Sequence, residues 1–201
     1  VLAIDGTAPY SASWAIPADG TRVLRATARD NAARETVQLV TVTIDRAAPT
    51  GSLTAPADLA DVRGTVSLTA TASDAAPASG VNTVDFQYRL VGSPTWLLAG
   101  SDAATPYAAS LDTTALADGQ YELRAFVTDV AGNASASPLR TVRVDNTAPT
   151  GSVTAPAVGA SIRGTVAITS DSADGGSGVA TVVFEQRPSG GGGWTVVGLP
   201  W

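Results

Sequence analysis

Alternating apolar and polar residues divide the middle of the chain into short runs. The clearest run places Val84, Phe86, Tyr88 and Leu90 on one face and polar side chains on the other. Alternation with a period of two predicts β-strands that are buried on one side. Pro, Gly, Asn and Asp separate the runs and predict turns. Only residues 113–117 have helical spacing, for one turn at most. The predicted strands cover residues 51–55, 65–72, 84–90, 96–99, 107–111, 120–128 and 139–144.

The pattern repeats along the chain. The segment Asp45–Pro56 returns one hundred residues later as Asp145–Pro156, and Trp96 returns as Trp194. A period of this length is too long for a solenoid repeat and matches a complete small domain. Seven short strands, each with one apolar face, are typical of a two-sheet sandwich. The sequence therefore predicts an all-β protein built from tandem antiparallel sandwiches.

The repeat divides the chain into three units. Unit 1 (residues 1–46) matches the C-terminal half of a repeat, unit 2 (residues 47–146) is a complete repeat, and unit 3 (residues 147–201) matches the N-terminal half. A half-repeat alone would leave open strand edges and an uncovered apolar face. Three explanations are compatible with this division: a fragment of a longer array, halves that complement each other between molecules in a head-to-tail fibre, or a misaligned repeat.

Composition excludes several classes of function. The 201 residues contain no Cys, no His and no Lys, so disulfides, thiolate metal sites, histidine bases and Lys–Asn isopeptide links are absent. The net charge of −6 argues against a nucleic-acid surface, which needs a basic patch. No apolar stretch approaches a membrane span, and the first residues lack the pattern of a signal peptide. No Ser or Thr has a candidate base, so we predict that the protein is not an enzyme.

Two motifs of unit 2 carry a family resemblance. Asp129–Asn133 follows one predicted strand, and the last strand ends in Val144–Pro149. These motifs resemble those of tandem bacterial immunoglobulin-like (Ig-like) domains of large secreted or cell-surface proteins and adhesins. Asp118–Tyr121 is similar to the tyrosine-corner region of such sandwiches. The resemblance implies an extended array of Ig-like sandwiches, secretion, and a spacer or adhesive role on the bacterial surface.

Unit 1 departs from the family pattern at two positions. Arg22 stands where unit 2 has Tyr121, and Ala33 stands where unit 2 has Gly132. The sequence therefore does not carry over the hydrogen bond of the tyrosine or the glycine turn to unit 1.

Acidic residues gather at the predicted junctions between units. Oxygen-only clusters suit Ca²⁺, which takes 6–8 oxygen ligands and would stiffen a linker, so Ca²⁺ is the one cofactor that the sequence suggests. The alternative is that Asp and Asn simply cap turns. The first junction is expected to gather Asp45, Asp74, Asp129, Asn133 and Asp19; the second is expected to gather Asp145, Asn146, Asp118, Asp61 and either Asp171 or Asp174. Among these, the calcium candidates are Asp45, Asp74, Asp129, Asn133 and Asp145.

Two further features bear on the array. Pro49 and Pro149 follow the last strand of a unit and predict short, semi-rigid linkers. Aromatic residues offer a platform for sugars, but the parity of Tyr88 and the equivalence of the two tryptophans favour packing. The aromatic candidates are Trp96, Trp194, Tyr88 and Tyr107.

The sequence thus predicts a non-catalytic spacer of an extracellular bacterial surface protein or adhesin. The alternatives are a ligand- or glycan-binding adhesin module and an accessory module of a secreted carbohydrate-active enzyme. The expected partners are neighbouring repeats, further copies of the chain, or a surface or glycan that the sequence does not identify. Nucleic acid is not among them.

Overall fold

The computed structural model of the protein describes residues 3–197. The last four residues of unit 3, including Trp201, lie outside the described part. Every regular element in residues 3–197 is a β-strand, as the alternation predicted. Residues 113–117 form a turn that is closed by a bond from the Leu116 N–H to the Thr113 carbonyl. None of the described residues belongs to a helix that is long and apolar enough to cross a membrane.

Unit 1 contributes one long hairpin within its described residues. Strands β1 (Gly20–Arg29) and β2 (Glu35–Ile44) are antiparallel and pair along their whole length. Gly20 lies opposite Ile44 at the open end of this hairpin. In the repeat alignment, these strands stand opposite the last two predicted strands of unit 2.

Unit 2 is a complete sandwich of two sheets. One sheet has the order β3-β5-β8, and the other has the order β4-β11-β9-β6-β7, with β10 also paired to β9. Strand β4 runs parallel to β11, and all other pairs are antiparallel. The strands are β3 (Thr50–Ala55), β4 (Ala60–Val62), β5 (Thr65–Ser73), β6 (Val81–Leu90), β7 (Leu97–Asp102), β8 (Tyr107–Asp112), β9 (Gly119–Asp129), β10 (Ala134–Ala136) and β11 (Arg140–Val144).

The prediction of seven strands for unit 2 was too low. The structure has nine, because Ala60–Val62 and Ala134–Ala136 also pair with neighbours. Each of these strands has three residues, which is too short for alternation to be recognised. The strand predicted at residues 96–99 begins one residue later, at Leu97, and continues to Asp102.

The core lies between the two sheets of unit 2. Phe86 and Val84 of β6 and Ala125 and Val127 of β9 have no exposed surface, and Leu123 is 1 % exposed. The inward face that alternation predicted for these strands is therefore confirmed. Burial of this apolar face contributes most to holding the sheets together, at roughly 25 cal/mol for each Å² removed from water. The buried cluster is completed by Leu53, Leu68, Ala70, Tyr107, Leu111, Tyr121, Val142 and Val144.

The corner that precedes β9 has the expected tyrosine bond. The Tyr121 hydroxyl donates to the Ala117 carbonyl, four residues upstream, at 3.2 Å. In unit 1 the Arg22 guanidinium donates to the Ala18 carbonyl at 3.1 Å, with the same spacing. An arginine therefore supplies the corner bond that the sequence did not carry over to unit 1.

A turn with a left-handed residue follows β1 in unit 1 and β9 in unit 2. Ala33 has a φ of 67° and Gly132 has a φ of 92°. The left-handed conformation costs a residue with a Cβ atom more than it costs glycine. Unit 1 therefore forms the turn without the glycine that the unit 2 sequence provides.

Unit 3 repeats two strand pairs of unit 2 within its described residues. Strand β12 (Val153–Ala155) pairs with β13 (Thr169–Ser170), as β3 pairs with β5. Strand β14 (Glu185–Gln186) pairs with β15 (Thr195–Val196), as β6 pairs with β7. These four strands have two or three residues each.

Units 1 and 3 leave apolar side chains exposed within their described residues. Ala26 and Ala28 of β1 are exposed, whereas the equivalent Ala125 and Val127 of unit 2 are fully buried. Trp194 of unit 3 is 58 % exposed. Association of these faces between copies of the chain stays a prediction.

Candidate functional site: the joints between units

The first joint is the contact of Asp45 with unit 2. Asp45 follows the last residue of β2 and is only 8 % exposed. Its Oδ2 accepts a bond from the Ser79 N–H at 2.7 Å, and its Oδ1 accepts one from the Ala47 N–H at 3.0 Å. Asn133 Nδ2 donates to the Asp45 carbonyl at 3.1 Å. One residue of unit 1 is thereby bonded to the β5–β6 and β9–β10 loops of unit 2.

Three carboxylates meet at the first joint. One oxygen from each of Asp45, Asp74 and Asp129 lies within 4.8 Å of the others. Asp129 is 1 % exposed, and its two oxygens accept bonds from the Asn133 N–H and Nδ2, both at 2.8 Å. Asp74 Oδ2 accepts a bond from the Gly80 N–H at 2.9 Å. Asp74 Oδ1 is buried and has no hydrogen-bond partner among the described residues.

The charges of this cluster lack a neighbouring cation. No ion pair in residues 3–197 includes any of the three carboxylates. Arg46, next to Asp45, forms an ion pair with Asp19 at 2.7 Å instead. Hydrogen bonds from the Ser79 hydroxyl and then the Ser79 N–H keep the pKa of Asp45 below its ordinary value, so Asp45 is ionised at neutral pH. Like charges in one partly buried site repel each other, and a bound cation would relieve that repulsion.

The donor set of the first joint fits a hard cation. All three side chains offer carboxylate oxygens, which are the ligands that Ca²⁺ prefers. The orphaned Asp74 Oδ1 is a free acceptor within this group. A buried acceptor without a partner is costly, and coordination would satisfy it. Asp45, Asp74 and Asp129 would hold the ion, and Asn133 orients Asp129.

The second joint is the contact of Asp145 with unit 3. Asp145 follows β11 and is 7 % exposed. Its Oδ2 accepts a bond from the Ser177 N–H at 2.6 Å, and its Oδ1 accepts one from the Thr147 N–H at 3.2 Å. The Ser177 hydroxyl and N–H lower the pKa of Asp145, as Ser79 lowers that of Asp45. The two joints therefore use the same aspartate-to-serine contact.

The structure places the other acidic candidates apart from the carboxylate cluster. Asp118 Oδ1 accepts a bond from the Asn146 N–H at 2.7 Å. This bond ties the linker that follows β11 to unit 2 itself. Asp171 is bonded to Ser152 within unit 3, and Asp174 accepts bonds from N–H groups of its own loop. Asp61 forms an ion pair with Arg143 at 2.6 Å. The turn-capping interpretation describes Asp174, whereas Asp61, Asp118 and Asp171 bond to residues that are distant in sequence.

Reasoning from the sequence missed three residues of the joints. Ser79 and Ser177 donate the bonds that cross between units, and Arg143 donates through NH1 to the Gly176 carbonyl at 2.9 Å. A signal was present for the serines, because a Ser-Gly-Val motif recurs at residues 79–81 and 177–179. Neither local pattern nor repeat identified Arg143, since unit 1 has Thr43 at that place.

The linker prolines differ between the joints. Pro49 is buried, and the Ser135 hydroxyl donates to its carbonyl. Pro149 is exposed. The first linker is therefore packed against the closing strands of unit 2.

The aromatic candidates are occupied by contacts within the units. Tyr107 is buried, and the Tyr88 ring lies 6.4 Å from that of Tyr121 beside the core. The guanidinium carbons of Arg89 and Arg124 lie 4.4 and 4.1 Å from the centroid of the Trp96 ring. Cation–π stacking of this kind stabilises a sheet surface and competes with sugar for the ring.

Trp194 has the same kind of partner as Trp96. The Arg187 guanidinium lies 4.5 Å from the Trp194 ring centroid. The repetition of the arginine–tryptophan contact in two units favours a scaffold role over a specialised glycan platform.

Comparison with known proteins agrees with this fold. Residues 49–125 match the model of a family described as a bacterial Ig domain. This part of the chain is similar to bacterial Ig domains. The match lies within unit 2 and confirms the resemblance that the motifs carried. No curated protein matches the sequence.

Two solved structures are similar to parts of the chain. The fibronectin(III)-like modules of Clostridium thermocellum CbhA are 28 % identical over 71 % of this chain and 70 % of theirs, with a TM-score of 0.45. The endo-beta-1,4-mannanase from Thermotoga petrophila is 19 % identical over 51 % of this chain, with a TM-score of 0.38. The match spans 21 % of the mannanase chain. With both TM-scores below 0.5, neither likeness assigns a role to this chain.

Proposed function

We propose that the chain is a non-catalytic spacer segment of an extracellular bacterial surface protein or adhesin, in which aspartate joints fix the angle between Ig-like repeats. The supporting observation is that one contact occurs twice. Asp45 Oδ2 accepts a bond from Ser79 at 2.7 Å, and Asp145 Oδ2 accepts one from Ser177 at 2.6 Å. Each aspartate directly follows the last strand of its unit, so the end of one sandwich is bonded to the start of the next.

The bonding pattern explains how such a joint resists bending. Each carboxylate accepts one bond from its own linker and one from a loop of the next unit, through different oxygens. A bend at the linker would stretch at least one of these two bonds. Charge-assisted bonds to backbone N–H groups are shorter and stronger than neutral ones. A spacer requires this kind of stiffness.

Side-chain chemistry favours a mechanical role over catalysis. The sequence has no His, Cys or Lys, which are frequent general bases and nucleophiles. Asp45, Asp129 and Asp145 use both of their oxygens to accept hydrogen bonds. The proposal of a surface location rests on the similarity of residues 49–125 to bacterial Ig domains, which implies display outside the cell.

We also propose that the first joint binds Ca²⁺ through Asp45, Asp74 and Asp129. The specific observation is the buried, unpartnered Asp74 Oδ1 within a group of three carboxylates. The ion would cross-link the end of unit 1 to the β5–β6 loop and the end of β9 in unit 2, because Asp45 belongs to unit 1, Asp74 to that loop and Asp129 to β9. Calorimetric titration with Ca²⁺ tests this role: binding heat and a higher Tm are expected, and the absence of both would end it.

Distance measurement between spin labels tests the spacer. The chain has no cysteine, so single labels can be placed at exposed positions through Arg25→Cys in unit 1 and Arg63→Cys in unit 2. We expect a narrow distance distribution at pH 7 in excess Ca²⁺ and a clearly wider one after Asp45→Ala. Asp112→Ala is the matched control, because Asp112 caps only Thr114 within unit 2. A wild-type distribution as wide as that of Asp45→Ala would contradict a stiff joint.

A further inference from the structure

The residue two positions before the joint aspartate differs in charge between the two joints. The strand that leads into Asp45 carries Thr43, and the strand that leads into Asp145 carries Arg143. Both residues stand two positions before the joint aspartate. Thr41 and Val42 are identical to Thr141 and Val142, and both segments reach the joint aspartate at the same position. Unit 2 therefore brings a positive charge to its joint at a place where unit 1 brings none.

Arg143 is bonded on both sides of the second joint. Its Nε donates to Asp61 Oδ1 in unit 2 at 2.6 Å, and its NH1 donates to the Gly176 carbonyl in unit 3 at 2.9 Å. The hydrogen bond and charge of Asp61 raise the pKa of Arg143, and the negative charges of Asp145 and Asp174 add to this effect. The guanidinium thus lies in the field of three carboxylates that belong to both units.

The loop of unit 3 approaches the joint aspartate closely at Gly176. A Cβ atom built on Gly176 would lie 2.6 Å from Asp145 Oδ1, and it would overlap the rest of the carboxylate as well. The equivalent residue of unit 2 is Ala78, which precedes Ser79 as Gly176 precedes Ser177. The absence of a side chain at residue 176 lets the backbone reach Asp145 while its carbonyl accepts the bond from Arg143.

We propose that Arg143 is the positioning residue of the second joint and supplies the positive charge that the first joint lacks. The second joint then keeps its geometry without a divalent cation, whereas the first requires one for full stiffness. This inference rests on the proposed aspartate joints and adds that their cations differ in origin: a side chain in one and an ion in the other.

The Arg143–Asp61 pair alone does not account for this arrangement. The two side chains are 44 % and 41 % exposed, and an exposed ion pair contributes little to stability. The pair holds the Arg143 guanidinium beside the end of β11, and from there NH1 donates to the Gly176 carbonyl of unit 3. We therefore expect loss of Arg143 to change the angle between units more than it changes the stability of unit 2.

The test compares two arginine substitutions in the full chain. Labels are placed through Ala104→Cys in unit 2 and Val158→Cys in unit 3, both exposed. Distances are measured at pH 7 in EDTA. Arg143→Thr installs the residue that unit 1 has at this position, and we expect it to widen the distance distribution at least twofold. Arg140→Thr is the control, because Arg140 donates only to the Thr54 and Pro56 carbonyls of unit 2.

The outcomes separate this inference from the proposed function. A wild-type distribution that is already wide would reject the aspartate joints themselves. A narrow wild-type distribution that Arg143→Thr leaves unchanged would reject only the role of Arg143. Equal widening by Arg140→Thr would do the same. Thermal unfolding of each variant verifies that unit 2 is folded, so that a wider distribution reports on the joint.

Discussion

The first and second joints share a bond and differ in charge. In both, the aspartate after the last strand accepts an N–H bond from a serine of the next unit. At the first joint, Asp74 and Asp129 add negative charge, whereas Arg143 brings positive charge to the second. Both joints thus have the same bond from a backbone N–H to an aspartate. The neighbouring side chains determine whether the joint also needs a bound cation.

Acid offers the most severe test, because it acts on the bond that the joints share. The pKa values of Asp45 and Asp145 are lowered in the folded protein. Their contribution is therefore complete above the ordinary aspartate value of 3.8 and is lost as the pH falls through the lowered value. With Ca²⁺ present, we expect both label pairs to report narrow distributions at neutral pH and wider ones as the pH falls well below 3.8. Joints that stay narrow in acid would show that another contact holds them.

Substitution of Asp74 should separate the two joints. Asp74→Asn removes one negative charge and one carboxylate ligand from the first joint. We expect Ca²⁺ affinity to fall by about 100-fold, because loss of a residue that only supports a metal ligand already costs about 10- to 100-fold. Asp174→Asn makes the equivalent change at the second joint and is expected to leave the affinity unchanged. Isothermal calorimetry measures both. Equal losses in the two variants would place the ion elsewhere.

A methyl group at residue 176 should weaken the second joint alone. Gly176→Ala forces the β-carbon against the Asp145 carboxylate, so the Ser177 bond must lengthen. We expect hydrogen exchange of the Ser177 amide to accelerate about tenfold, equivalent to about 1.4 kcal/mol of local protection. The reciprocal change Ala78→Gly should alter exchange of the Ser79 amide by less than about threefold. Unchanged protection of Ser177 would mean that the loop shifts without loss of the bond.

The smallest expected effect concerns the turns at the hairpin tips. Ala33 has a left-handed φ of 67°, so Ala33→Gly should stabilise the β1–β2 hairpin by about 1 kcal/mol. Gly132→Ala, at the tip that carries Asp129 and Asn133 into the first joint, should destabilise unit 2 by a similar amount. Local hydrogen exchange measures the first change, and denaturant unfolding measures the second. An Ala33→Gly hairpin of lower stability would show that the turn is not strained.

Much of the fold follows from the sequence, because burial on one side imposes alternation. Phe86 and Val127 are buried where their parity places them. The short strands Ala60–Val62 and Ala134–Ala136 could not be found in this way, since their pairing depends on β11 and β9 rather than on their own pattern.

The joints were predictable in part for a different reason. The repeat places Asp45 and Asp145 at unit ends, and loop positions in a sandwich bring Asp74 and Asp129 to the same pole. The donors are backbone N–H groups, which every residue other than proline has, so composition gave no sign of Ser79 as a partner. Arg143 donates to the Gly176 carbonyl of the following unit, and whether such a contact forms depends on the angle between the units.

The difference between the joints can be measured directly by NMR titration of the ¹⁵N-labelled chain with Ca²⁺. We predict saturable shifts at the amides of Ser79, Gly80 and Asn133, which surround the carboxylate cluster. At Ser177 and Gly178 of the second joint we predict no more than nonspecific changes. Equal shifts at both joints, or none at the first, would contradict the claim that an ion completes one joint and Arg143 completes the other.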